Sequence, residues 1–251
     1  MFSVADLMFT ETNKGFTIIT NFGCNNNCSY CISKHHPILQ NQVTEIDTID
    51  WDYLDECIKN TSSPKVNLSG GGDPFYNYQN NLEFYFKAYD LCQKYNKLLD
   101  IHTRILPNDF ELLMLFNKVA LSVEFDDDIA LHELSNKYKY IKDLTNIRVI
   151  QVVNSKLNIQ KCLNYINIIK NIGIKQVTFR QMFGNKKAYE HFDYLKSNMR
   201  EIENVMFLKD GEYHEYYFTT NNTLYPYFFG YTVEDRIKWM KIYEDIEQSC
   251  T

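Results

Sequence analysis

Short β-branched and apolar runs alternate along the chain with stretches whose apolar residues recur at helical spacing, and this alternation sets the expected fold. Residues 16–21 (FTIITN) read as a first strand. Residues 48–60 place Ile49, Tyr53, Leu54, Cys57 and Ile58 on one helical face, and 65–69 (KVNLS) form a second strand that runs into glycines. A helix over 80–97 carries Leu82, Tyr85, Phe86, Tyr89 and Cys92 on one side. Strands follow at 98–103, 118–124, 147–153 and 175–181, separated by helices over 108–117, 127–144 and 158–172. Asn108 and Asp109 behind Pro107 mark one helix start, and Gly173 marks a helix end.

Six consecutive βα-like units require a parallel sheet, because each crossover returns the chain over one face. That is fewer than the eight strands of a complete TIM barrel. The expected fold class is therefore α/β, a partial (β/α)6 TIM-like barrel open along one side. Residues 182–251 differ in character: Tyr213, Tyr216, Tyr217, Tyr225, Tyr227 and Phe228 crowd around Gly211 and Asn221-Asn222. The expected organisation is a core over 1–181 and an aromatic-rich extension over 182–251. A hairpin-like section and a last helix over 233–246 make up the extension, which caps the barrel.

The 251 residues suit one large domain, or one with a small appendage, and 45% apolar content supplies a sizeable core. The formal net charge is −6, with no basic run longer than Lys186-Lys187. Such a balance speaks against binding polymeric nucleic acid, which is driven by cationic contacts to phosphate. The opening MFSVADLMFTETNKG has no basic n-region and carries Asp6 and Glu11, so it does not read as a signal peptide. No apolar run approaches bilayer length. The expectation is a soluble, cytoplasmic protein without a membrane partner, whose seven cysteines stay reduced.

Three of those cysteines fall in CNNNCSYC, as Cys24, Cys28 and Cys31, with no fourth nearby. A structural zinc and an ordinary [4Fe–4S] cluster each want four ligands. A cube held by three thiolates leaves one iron able to accept a small chelating molecule. Alternatively, His35 or His36 completes a Cys3His zinc site in a non-catalytic module. Cys57, Cys92 and Cys162 sit on apolar helix faces and read as core residues, while Cys250 lies next to the end.

The run Cys24-Asn25 to Tyr30-Cys31 at the end of a first strand resembles the signature of the radical S-adenosylmethionine superfamily. After the second strand, Ser69-Gly70-Gly71-Gly72-Asp73-Pro74 resembles that family's glycine-glycine-glutamate-proline segment, with Asp in place of Glu. Taken alone, such a glycine turn would merely end a strand. The resemblance covers about 16–181 in pattern and only the first third of the chain in motif.

The resemblance implies a [4Fe–4S] cluster on Cys24, Cys28 and Cys31, with S-adenosylmethionine chelating the open iron. Its reductive cleavage gives a 5′-deoxyadenosyl radical that abstracts hydrogen from an organic substrate. Tyr30, Gly71, Gly72 and Asp73 are the expected contacts to S-adenosylmethionine. Thr103, Ser122, Glu124, Gln151 and Arg180, at later strand ends, are lesser candidates for its ribose or carboxylate or for a substrate anion. Each is equally readable as a polar strand terminus at the rim. His102 and Arg104 alternate with Thr103, so a regular strand cannot turn all three inward.

The implied partners are a small electron donor such as flavodoxin or ferredoxin, and a small-molecule or nucleotide-like substrate. A glycyl-radical activase or a peptide-modifying enzyme is the alternative within the same chemistry.

Overall fold

The computed structural model describes residues 15–26, 28, 30–34, 36–182, 186–209, 214–228, 232, 234–235, 237–238 and 241. The expected zinc ligand His35, the terminal Cys250 and most of the expected last helix lie outside them.

Strands and helices alternate as β1 (Gly15–Ile19), α1 (Trp51–Asn60), β2 (Lys65–Leu68), α2 (Leu82–Lys94), β3 (Leu98–Thr103) and α3 (Phe110–Met114). The order continues with β4 (Lys118–Ser122), α4 (Asp128–Ile141), β5 (Asn146–Val153), α5 (Ile159–Ile172), β6 (Gln176–Gln181) and α6 (Lys186–Met199). It closes with β7 (Val205–Leu208), β8 (His214–Phe218) and β9 (Thr223–Tyr225). Four of the helices, α1, α3, α4 and α5, begin directly after a side-chain cap. Asp50 accepts from Tyr53 N at 2.9 Å, and Asp109, Asp127 and Asn158 cap α3, α4 and α5 in the same way. Gly173 ends α5 with φ 102°, a conformation that favours glycine.

The strands form one 9-stranded sheet in the order β7-β6-β5-β4-β3-β2-β1-β8-β9. All pairs are parallel except β8 with β9. From β1 to β7 each strand lies beside its sequence neighbour, so the sheet is wound in one direction without a reversal. Among the described residues its two ends, β7 and β9, are not paired with each other. Residues beyond 181 thus continue the sheet rather than stand apart. Strand β7 adds to β6, and β8 adds to the far side of β1 in parallel register, Ile18 opposite Tyr217.

One hydrophobic cluster joins the alternate strand residues Phe16, Val66, Ile101, Val119, Val149 and Phe179 to residues of all six helices, from Leu54 of α1 to Phe192 of α6. Side chains alternate across a strand, so the helices share one face of the sheet and the intervening residues line the other. A singly wound parallel sheet covered on one face has the logic of a barrel wall, with the second face turned inward. On that inner face a smaller cluster forms around Ile19, Leu39, Phe218 and Tyr225, with Tyr216 and Phe228 packed on it. Among the described residues no helix is long and apolar enough to cross a membrane.

Candidate functional site

Strand β1 delivers the chain to the cysteine loop through two tight positions, Asn21 (φ 44°) and Gly23 (φ 94°). The Asn21 amide donates to the carbonyls of Gln42 and Leu39, which fixes the exit from the strand. Beside it, the glycine loop after β2 approaches so closely that Gly23 and Gly72 form a β-bridge, and Asp73 N donates to Gly23 O at 2.9 Å. Gly72 has φ 131°, and a Cβ there would lie 2.3 Å from Gly23 O. Glycine is therefore required by backbone packing at this point. Gly71 N donates to Ser33 Oγ at 3.2 Å, tying the glycine loop to the far end of the cysteine loop as well.

Cys24 is exposed, Cys28 and Cys31 are half-buried, and all three are free thiols. Cys24 Sγ accepts from Asn26 N at 3.3 Å and from the Asn26 side chain at 3.5 Å. Cys28 Sγ accepts from Arg104 Nη1 at 3.6 Å. Among the described residues, no three His, Cys, Asp or Glu side chains converge into a metal-holding group. The donor set nonetheless has the right chemistry for an iron–sulfur cluster: three reduced thiols on one short loop, a cation beside one of them, and no cross-link consuming any. His36 is committed elsewhere. Nε2 pairs with Phe228 O at 2.6 Å, Nδ1 accepts from Ile38 N, and the ring stacks on Phe218. Burial lowers its pKa.

Glu124, just past β4, is the hub of the mouth. It accepts from the Tyr30 hydroxyl, from Gln151 Nε2 at 2.8 Å and from Arg104 Nη1 at 3.3 Å. Arg104 also pairs with Asp127 at 3.6 Å. Burial first, then the Glu124 carboxylate, push the Tyr30 phenol up, so it remains a proton donor. Gln151 is fully buried; its carbonyl accepts from Phe125 N at 2.6 Å, so this side chain holds the turn after β4 from within.

Asp73 is only 4% exposed, and three protein donors occupy its carboxylate. These are Phe75 N at 2.9 Å, Thr103 Oγ1 at 2.5 Å and Arg104 N at 2.6 Å. Burial raises its pKa against the pull of these donors. Asp73 and Thr103 together thus brace the ends of β2 and β3. The alternation expected in β3 holds: Thr103 turns to Asp73, His102 lies on the inner face, and Arg104 reaches the mouth. Ser122 and Arg180 are half-buried on the inner face.

The structure brings Cys28, Tyr30, Glu124 and Gln151 into one hydrogen-bonded network through Arg104. Arg180 is separate from that network in every hydrogen bond described. Ser33 and Asp127 were not singled out by sequence. Asp127 carried a signal as a helix cap at the end of a strand–turn; Ser33 carried none, since its role depends on where the glycine loop lands.

No family model matches this chain, and no curated protein matches it. Among solved structures it is similar to orotidine 5′-monophosphate decarboxylase from Sulfolobus solfataricus, at 10% identity over 94% of this chain and 98% of that one, with TM-score 0.43. It is also similar to 3-dehydroquinate dehydratase from Geobacillus kaustophilus, at 6% identity, 93% and 90% coverage and TM-score 0.47. The HMG-CoA lyase of Bacillus subtilis gives 9% identity, 79% and 76% coverage and TM-score 0.42. All three are enzymes, and likeness at this level carries nothing about the reaction of this chain.

Proposed function

We propose that this chain is a radical S-adenosylmethionine enzyme that uses one [4Fe–4S] cluster to abstract hydrogen from an organic substrate. The observation that carries this reading is the join between the two motif loops. The loop bearing Cys24, Cys28 and Cys31 and the glycine loop after β2 meet at the same end of adjacent parallel strands, through Asp73 N to Gly23 O and Gly71 N to Ser33 Oγ. Active sites of barrel-like parallel sheets gather at that end.

When bound, the cluster supplies the electron that cleaves the sulfonium of S-adenosylmethionine into methionine and a 5′-deoxyadenosyl radical. Cys24, Cys28 and Cys31 would hold it. Arg104 places positive charge beside Cys28 and is itself oriented by Glu124 and Asp127. Gly71 and Gly72 let the glycine loop close onto Asn21 and Gly23, where a Cβ would clash, and in this reading the main chain so placed would bind the methionyl part of S-adenosylmethionine. In this reading Asp73 positions that main chain rather than touching the ligand, since its carboxylate is already bound by the protein. Tyr30, Glu124 and Gln151 hold the cysteine loop against β4 and β5. Ser122 and Arg180, on the inner face, look toward the space a substrate occupies. Flavodoxin or ferredoxin is the matching electron donor, and a cytoplasmic, reducing setting the matching compartment.

The test is anaerobic reconstitution with iron and sulfide. The reading requires about four iron and four sulfide per chain, with loss in Cys24→Ala, Cys28→Ala or Cys31→Ala. A colourless protein carrying one zinc and no sulfide would instead make this a zinc module.

A further inference from the structure

Arg104, one residue past β3, is held at both of its ends. Its backbone N donates to Asp73 Oδ2 at 2.6 Å, and the Thr103 hydroxyl before it donates to Asp73 Oδ1 at 2.5 Å. The acid of the glycine loop therefore fixes where the main chain of Arg104 lies. At the far end, Nη1 donates to Glu124 Oε1 at 3.3 Å and Nη2 faces Asp127 Oδ2 at 3.6 Å. A guanidinium is planar and keeps its proton in a protein, so two carboxylates set its plane as well as its place. The side chain is 21% exposed, which limits the water that competes for its donors.

What this pinned head group meets is sulfur: Nη1 also donates to Cys28 Sγ at 3.6 Å. The described donors to Cys24 Sγ both belong to Asn26, an exposed residue of the same loop. A donor carried by the loop moves with it, whereas Arg104 is anchored to the glycine loop, to the end of β4 and to the start of α4. Tyr30, two residues beyond Cys28, donates to the same Glu124 Oε1. The Arg104–Glu124 pair thus grips the cysteine loop at two alternate residues.

Groups that bond to metal ligands from outside orient those ligands, and hydrogen bonds to sulfur help to set the potential of an iron–sulfur cluster. The cause is electrostatic. A one-electron reduction adds negative charge that spreads onto the sulfurs, so a donor aimed at one of them stabilises the reduced form more. Glu124 and Asp127 offset part of the charge of Arg104; the directed N–H bond to sulfur remains.

We propose, resting on the reading given under Proposed function, that Arg104 is a positioning residue of the cluster site. It holds Cys28 in its liganding place and eases the reduction that begins the reaction. In that reduction the cluster gains one electron and the flavodoxin- or ferredoxin-type donor loses one, with no proton moved and no bond made or broken.

Wild type, Arg104→Lys and Arg104→Gln are reconstituted anaerobically with iron and sulfide, and circular dichroism verifies that they fold. Iron and sulfide are counted, and the cluster is titrated with dithionite by electron paramagnetic resonance, without S-adenosylmethionine. Arg104→Gln is expected to show a ~10-fold lower ratio of reduced to oxidised cluster at the same potential, a midpoint ~59 mV more negative for one electron. Arg104→Lys, which keeps the charge without the fork, is expected between the two. A folded Arg104→Gln chain that no longer holds the cluster supports the positioning role, and Arg104→Lys then carries the potential measurement. An unchanged or more positive midpoint, or failure of both variants to fold, would overturn the proposal. A wild-type chain that takes up no cluster removes this proposal and the radical reading together. A lowered midpoint in the variants of a chain that forms no 5′-deoxyadenosine leaves Arg104 standing and removes the radical reading alone.

Discussion

The Tyr30 hydroxyl donates a hydrogen bond to Glu124 Oε1 across a separation of 94 residues, fastening the cysteine loop to the end of β4. A bond to a carboxylate is worth ~1.5–3 kcal/mol, more than a neutral pair. Glu124 keeps Arg104 and Gln151 when the phenol is removed. Tyr30→Phe is therefore expected to destabilise the fold by ~1–2 kcal/mol. In a double-mutant cycle with Glu124→Gln, urea denaturation should show a coupling of similar size. Additive losses would separate the two residues.

Gly72→Ala should be the most damaging change in the glycine loop. Its Cβ would sit 2.3 Å from a backbone oxygen, at φ 131°. A loss of ~3 kcal/mol or more is expected, with the loop displaced from Gly23. At Gly70 the nearest atom is the flexible end of Ile19, 3.0 Å away. Gly70→Ala should cost only ~1–2 kcal/mol, from its positive φ. Chemical denaturation of the two variants side by side measures the difference.

Asp73 stands where the glycine-glycine-glutamate-proline segment that this loop resembles has glutamate. Its carboxylate is a bracket inside the protein, so lengthening it overfills a buried site. Asp73→Glu is expected to destabilise by ~1–3 kcal/mol rather than improve function. Asp73→Ala, which orphans Phe75 N and Arg104 N, is expected to lose ~2–4 kcal/mol. Thermal and urea unfolding check both; a more stable Asp73→Glu would contradict the bracket.

His102 makes stability fall in acid. Its folded pKa lies well below 6.5, because of burial and then Arg148, Arg180, Lys65 and Lys118, with Asp100 the acid on the same face. As pH drops through ~6.5, the unfolded chain takes up a proton that the folded chain refuses, so stability declines. His102→Gln should remove that contribution. Its stability relative to wild type should improve between pH 7.5 and 5.5, read from urea midpoints at each pH.

Much of the sheet was legible because its period was. FTIITN, KVNLS and the four later runs each became a strand, and Asn108 and Asp109 behind Pro107 marked a helix start. The far end was harder. Strand β7 is only four residues, VMFL, and β8 joins β1 through contacts such as Thr219 Oγ1 to Ile19 O, 200 residues apart. No local pattern encodes such a pairing. Tyr216, Tyr217 and Tyr225 lie in β8 and β9 of the same sheet.

At the site, the three cysteines and the glycines were visible as motifs, but their mutual approach at Gly23 and Gly72 was not. The inner face was hidden for another reason. Lys118, Arg148 and Arg180 alternate with Val119, Val149 and Phe179, a pattern that in an open sheet means solvent on one side. Only the one-sided winding of the helices turns that face inward.

The central claim is tested most directly by chromatography for 5′-deoxyadenosine after anaerobic reconstitution, addition of S-adenosylmethionine and reduction with dithionite. The product is expected with the wild-type chain and absent with Cys28→Ala. A wild-type protein that carries its cluster yet yields none, or a Cys28→Ala variant that still yields it, would contradict the account.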